Sequence, residues 1–109
     1  MDYVTMGEFG KLDIRVGKVV KAERMPGMKK IQKVEVDFGQ GNVRQMIAGG
    51  AEFYPPEFFV GRMVVALINL EPKEIAGTRS EGMLLAADHQ GKPYWLTVEG
   101  PVPAGTKVR

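Results

Sequence analysis

The sequence predicts an all-β fold, a small barrel of five strands, and three observations carry that expectation. Its 109 residues are enough for one hydrophobic core, so residues 1–109 read as a single domain. Fourteen glycines and seven prolines punctuate the chain and call for many short elements. The apolar residues also fall in runs of strand length, several of which alternate with polar ones at a period of two.

Residues 12–25 (LDIRVGKVVKAERM) begin with Leu12, Ile14 and Val16 alternating with Asp13, Arg15 and Gly17. The adjacent Val19 and Val20 break the phase, and Gly17 at that break predicts a bulge or a sharp bend. Pro26-Gly27 is a turn dipeptide. Residues 31–38 form the second predicted strand, with Val34, Val36 and Phe38 on one face and Lys33, Glu35 and Asp37 on the other. Gly39-Gln40-Gly41-Asn42 closes a hairpin onto a third strand at 43–48. Within 51–60 (AEFYPPEFFV), Pro55 or Pro56 can start a short helix that Gly61 stops.

The run at 63–70 is apolar as far as Asn69, as expected of a strand covered on both faces. Residues 83–87 are the fifth predicted strand, paired with 94–98 across the turn His89-Gln90-Gly91-Lys92, and PVPAGTKVR is an extended C-terminal segment. A strongly bent first strand and a short helix between strands three and four are the marks of the OB-fold, a five-stranded Greek-key barrel. Periodicity alone leaves an SH3-like barrel open.

Composition removes most catalytic chemistry. Cysteine is absent and His89 is the only histidine, so no cysteine- or histidine-based metal site is expected; the acidic residues are scattered singly, and no cofactor is called for. Ser80 is the only serine, and a triad would need it and His89 on opposite sides of one strand. The segment GQGNVR echoes a glycine-rich phosphate loop but lies between two strands instead of opening a helix. The chain is therefore read as no enzyme. The longest apolar stretch, 63–68, is far short of a membrane span, and MDYVTMGEFG has no basic start or apolar middle. A cytoplasmic location without membrane contact is the expectation.

Charge points to a partner instead. The net charge is only +2, yet residues 11–33 carry eight basic side chains against Asp13 and Glu23, a local +6 over a remainder of −4. Such asymmetry sets a basic face on a nearly neutral protein and attracts phosphate. Residues 69–87 (NLEPKEIAGTRSEGMLLAA) read as strand end, polar loop and strand start. The loop offers Lys73 and Arg79 for phosphates, and Asn69 and Ser80 for base edges or a ribose 2′-OH. Met83 adds a polarizable sulfur for stacking on a base.

LDIRVGKVV at 12–20, the turn and strand at 29–38, IAG at 47–49 and residues 69–87 together resemble the EMAP II/tRNA-binding domain family. That family includes free-standing bacterial tRNA-binding proteins, the C-terminal domain of many methionyl-tRNA synthetases, and CsaA-type secretion chaperones. The resemblance implies an OB barrel, usually a homodimer, without catalytic activity, that binds tRNA by shape and backbone. It implies RNA contact for Asn69, Lys73, Ser80 and Met83, and for Lys30 and its neighbour Lys29 after the first turn. The family loop is often of the type PRKLRG where this chain has PKEIAG, so Glu74 and Ala76 stand where basic residues are common. The turn Met25-Pro26-Gly27-Met28 is also more apolar than the family's.

The function expected is a structure-specific tRNA-binding module, free-standing or assisting an aminoacyl-tRNA synthetase; the initiator Met and the family-like ending favour a whole protein. The alternative is a CsaA-like chaperone that binds unfolded polypeptides through Phe53, Tyr54, Phe58, Phe59, Met25 and Met28, although the aromatics among them are better read as a cap on the barrel core. The ending GMLLAA at 82–87 resembles the synthetase-type branch. A third reading has the apolar Val4, Met6, Val102 and Val108 dimerising synthetase subunits.

Overall fold

The computed structural model describes all residues from Met1 to Arg109. In chain order the elements are α1 (Met6–Phe9), β1 (Ile14–Arg24), β2 (Ile31–Asp37), β3 (Val43–Gly49), α2 (Pro56–Phe59) and β4 (Met63–Leu67). Five short strands follow: β5 (Lys73–Ile75), β6 (Thr78–Ser80), β7 (Met83–Leu84), β8 (Ala86–His89) and β9 (Lys92–Trp95). No helix is long and apolar enough to cross a membrane.

β1 serves two partners. Its first half, Ile14–Lys18, runs antiparallel to β4, and its second half, from Lys18 to Arg24, runs antiparallel to β2. With β2–β3 and β4–β7 pairing, the main sheet has the order β3-β2-β1-β4-β7 and curls into a nearly closed barrel, the predicted OB architecture. Val34, Val36 and Phe38 point inward as expected, joined by Val19, Met46, Val64, Ala66 and Leu84. α2 closes one end of this core. Pro56 supplies a preset φ and lacks only an N–H that the first turn would leave unbonded. Phe59, fully buried, then packs edge-on against Trp95 at 5.4 Å and Phe58 at 5.5 Å.

The bulge falls three residues later than Gly17. The register slips between Val19 and Lys21, which leaves Val20 unpaired and 46% exposed. Gly17 answers a different need. A Cβ there would stand 2.5 Å from Val36 Cγ1 and 2.7 Å from the Phe38 ring, so glycine lets β1 cross directly over the inner face of β2.

Other boundaries move for identifiable reasons. The strand expected at 63–70 ends at Leu67, because Ile68 N–H and the Asn69 side chain turn toward the chain around Asp13. The strand expected at 83–87 is split at Leu85. Its N–H donates to Val65 O while its carbonyl accepts from Leu96, so the chain passes there from barrel to hairpin. The last strand is Lys92–Trp95, shorter and earlier than 94–98, and it pairs with β8 across Gln90-Gly91. α1 has no counterpart in the sequence reading. Thr5 and Glu8 form a capping box, each side chain bonding the other's backbone N–H.

The C-terminal segment lies along the free side of β1. Val16 N–H donates to Thr106 O, Gly105 N–H to Val16 O and Val108 N–H to Ile14 O. Asp13 secures it, accepting from Arg15 Nε at 2.7 Å and from Lys107 Nζ at 3.2 Å, while Arg15 Nη1 donates to Gly105 O at 3.1 Å. The hydrogen bond from Arg15 holds the Asp13 carboxyl below the usual carboxylate range; desolvation opposes it, and the weaker hydrogen bond from Lys107 adds to the lowering.

Two outcomes follow. Gly17→Ala should destabilise the fold by about 1–3 kcal/mol through overpacking, seen as a lower urea midpoint at unchanged slope. Because the folded-state pKa of Asp13 is depressed, its stabilisation is complete above about pH 4 and disappears as pH falls through the folded-state value. Asp13→Asn should therefore cost no more than about 1 kcal/mol at neutral pH and nothing in strong acid. Hydrogen exchange at the Val108 and Gly105 amides reads this directly.

Candidate nucleic-acid interface

Residues 69–82, expected as an open loop, are partly a hairpin. β5 and β6 pair Lys73 with Ser80, Glu74 with Arg79 and Ile75 with Thr78. The two-residue turn is Ala76-Gly77, with φ of 51° and 78°, a mirror-image turn whose twist suits a hairpin. Three-residue strands are too short to show alternation, and the turn uses alanine where asparagine or aspartate would announce it.

Two of the expected contact residues are committed to the fold. The Ser80 hydroxyl is buried, accepting from Ile47 N–H at 3.1 Å and donating to Gly82 O at 3.2 Å. Asn69 lies on the surface with both ends of its amide engaged: Oδ1 accepts from Asp13 N–H at 2.8 Å and Nδ2 donates to Lys11 O at 2.7 Å. Beside Ser80, Glu81 N–H donates to Gln45 O, Gln45 N–H to Glu81 Oε1, and Gln45 Nε2 to Arg79 O. These bonds fix the base of the hairpin to the edge of β3.

The remaining candidates face solvent. Lys73 and Arg79 are exposed on opposite strands of the hairpin, with Glu74 directly across from Arg79. Met83 opens β7, 45% exposed. Lys29 and Lys30 are exposed on the turn after β1, and Lys30 O accepts from Ala51 N–H.

The hairpin tip and that turn meet across a groove of about 180 Å³. Glu23, Arg24, Met25, Pro26, Met28 and Lys33 line it from the β1–β2 side, and Ala76 and Thr78 from the hairpin. Lys29 stands on an adjoining depression with Arg24 and Met28. The motif reading passed over Glu23, Arg24 and Lys33 as site residues; they stand close to one another only because β1 pairs with β2 and sets Glu23 opposite Lys33.

Pairing redistributes the basic segment. Arg15 is held by Asp13, Lys21 lies 3.9 Å from Glu35, and Lys33 lies 2.9 Å from Glu23. The hydrogen bond between Lys33 and Glu23 lowers the carboxyl pKa and raises that of the ammonium, so both stay ionised at neutral pH. Lys11, Lys18, Arg24, Lys29 and Lys30 make no ion pair. Three of these, Arg24, Lys29 and Lys30, cluster around the turn beside the groove.

The aromatic residues do not join the two turn methionines in one cleft. Tyr54, Phe58, Phe59 and Trp95 line a separate apolar cavity of about 430 Å³ with Arg62, whose guanidinium stacks 3.7 Å over the Phe58 ring. Phe53 is 47% exposed outside that lining, and Met25 and Met28 belong to the groove at the hairpin.

Comparison with known proteins identifies the family. The family model described as "Putative tRNA binding domain" matches residues 14–107. The methionine–tRNA ligase of Methanocella arvoryzae is 46% identical over 106 residues, covering 97% of this chain and 15% of the ligase. The chain thus spans less than a fifth of that relative's length. Among solved structures, a MetRS related protein from Pyrococcus horikoshii superposes with a TM-score of 0.93 at 38% identity, covering all of both chains. The chaperone CsaA from Bacillus anthracis superposes with a TM-score of 0.88 at 32% identity, covering 99% of this chain and all of that one.

Ser80→Ala tests the anchoring described above. The Ile47 N–H would lose its acceptor in a buried place, at a cost of about 1–3 kcal/mol. A lowered denaturation midpoint with faster exchange at the Ile47 amide is expected; unchanged stability would show that the hairpin is held by other means.

Proposed function

The chain belongs to the tRNA-binding domain family, and we propose that it acts as a non-catalytic module that recognises the shape and backbone of tRNA. The observation that carries this reading is the convergence of the basic turn and the hairpin on one groove. Arg24 lines that groove, Lys29 stands in the adjoining depression and Lys30 follows on the same turn, while Lys73 and Arg79 are exposed on the hairpin whose tip forms the other wall. None of the five is ion-paired, and a sugar–phosphate backbone crossing this end of the barrel would meet their charge. In OB-folds the loop after strand one and the loop before the last strand are the places where oligonucleotides bind. Asn69 and Ser80 support this surface by holding the hairpin in position, and Met83, exposed at its base, offers a soft face for a base. Glu74, opposite Arg79, tempers the positive potential of the hairpin.

The partner surface is proposed to extend to a synthetase, with the module acting beside or within such an enzyme, and to a second copy of the chain. Val4 and Met6 are 73% and 81% exposed and supply apolar area for self-association, whereas Val102 and Val108 are half-buried on their own barrel. A peptide-binding reading is favoured by one observation, the aromatic cavity beside Tyr54, Phe58 and Trp95. Competition between tRNA and an unfolded polypeptide for the same protein separates the two functions.

The decisive measurement is a titration with total tRNA at two salt concentrations, with the oligomeric state followed in parallel. Affinity should fall steeply with salt as counterions are released. Lys73→Ala should weaken binding evenly across tRNA species and reduce the salt slope by about 1, and Glu74→Lys should steepen it by a similar amount. Salt-insensitive binding, or none at low salt, would sink the reading.

A further inference from the structure

A surface that reads only phosphates has no use for a carboxylate in its groove, yet Glu23 lines this one beside Lys33. The two side chains are 44% and 29% exposed and hence within reach of a ligand. Lys33 Nζ donates to Glu23 Oε1 at 2.9 Å, which leaves the second carboxylate oxygen and two further ammonium N–H groups free to bond elsewhere. The rest of the lining is mixed: Met25, Pro26 and Met28 beside Arg24 on one side, and Ala76 with the Thr78 hydroxyl on the other. Thioethers pack well on aromatic faces. At about 180 Å³ the groove is smaller than the roughly 300–1,000 Å³ of sites that enclose a drug-sized molecule. A single ring system with donors and an acceptor side by side on one edge would match that size and the Glu23–Lys33 pair.

We propose, building on the reading of this face as a tRNA-binding surface, that the groove is a guanine-selective subsite for a single unstacked nucleotide. The Watson–Crick edge of guanine carries N1–H and the 2-amino group, two donors spaced for one carboxylate, next to O6, an acceptor for an ammonium. Adenine and cytosine each have one amino donor there, and uracil has one N–H between two carbonyls. Guanine alone engages both oxygens of Glu23 and still gives Lys33 an acceptor. Arg24, on the same wall, is placed to hold the phosphate of that nucleotide. The subsite adds a base preference to a surface otherwise read as sequence-blind.

The test is a titration of the isotopically labelled full chain with GMP, IMP, AMP, CMP and UMP, followed at the amides of Met25, Met28, Lys33, Ala76 and Thr78. GMP should bind at least about tenfold more tightly than AMP, CMP or UMP, the discrimination expected of a good bidentate contact. IMP, which lacks the 2-amino group, should bind several-fold more weakly than GMP. Glu23→Gln should bring GMP to the level of AMP, since a neutral amide cannot accept from both N1–H and the 2-amino group. Lys33→Met is the second variant and should weaken GMP through loss of the O6 partner. Equal binding of all nucleotides, shifts confined to other regions, no shift with millimolar GMP, or a GMP preference that survives in both variants would overturn the subsite. If these failures occur while tRNA still binds with a steep salt dependence, the broader function stands; if tRNA binding is itself absent at low salt, it is the broader reading that fails.

Discussion

The candidate binding face depends on how the barrel is closed along β3. β7 offers only Met83 and Leu84, which pair with β4, so no full strand is available to cover that edge. The gap is bridged by Glu81 N–H donating to Gln45 O, by Gln45 N–H donating to the Glu81 carboxylate and by the Ser80 hydroxyl accepting from Ile47 N–H. Gly82 makes the approach possible: at a φ of 142° a Cβ would stand 2.8 Å from Leu67 O and 2.7 Å from Met46 Cε. Closing the edge this way protects it from pairing with other chains. The same bonds direct the β5–β6 hairpin toward the turn after β1, so stability and the binding groove share one set of contacts.

Electrostatics on this face is a matter of which charges are already engaged. A local excess of +6 over residues 11–33 overstates the attraction available to a polyanion. Arg15 holds the C-terminal segment through Asp13 and Gly105, and Lys21 and Lys33 face carboxylates across the β1–β2 pair. What remains free is concentrated at Arg24, Lys29 and Lys30, near the end of β1, where the hairpin adds Lys73 and Arg79. Surface ion pairs contribute little to stability. Here they decide which charges are engaged, setting a paired carboxylate and ammonium in the groove lining beside the unpaired Arg24.

The likeness to both a MetRS related protein and a CsaA chaperone fits a scaffold with two kinds of surface. The basic groove and the aromatic cavity are lined by separate sets of residues. The cavity owes its walls to α2 and β9, which cap the barrel around Phe59, whereas the groove owes its walls to β1, β2 and the hairpin. The groove stands apart from the core, whereas the cavity shares Phe59 and Val64 with it.

Much of the fold was legible in the sequence because its signals are local. Alternation in residues 31–38, Pro56 before Phe58 and Phe59, and the unbroken apolar run after Gly61 each specify an element through periodicity or a backbone restriction within a few residues. The first strand and its bend were equally readable, although the bulge sits at Val20 and Gly17 is explained by a neighbour distant in sequence. By itself the sequence determined the barrel, the helical plug, the basic segment and the polar stretch that faces it. Only the tertiary structure decided what the polar residues do. Ser80 and Asn69 looked like ligands because a hydroxyl or amide reads the same whether it meets a base or a backbone N–H. The pairing that sets Glu23 against Lys33, ten positions on, and the closure that brings the hairpin tip at Ala76 to the groove beside Met28, far off in sequence, are contacts that no period-two pattern records.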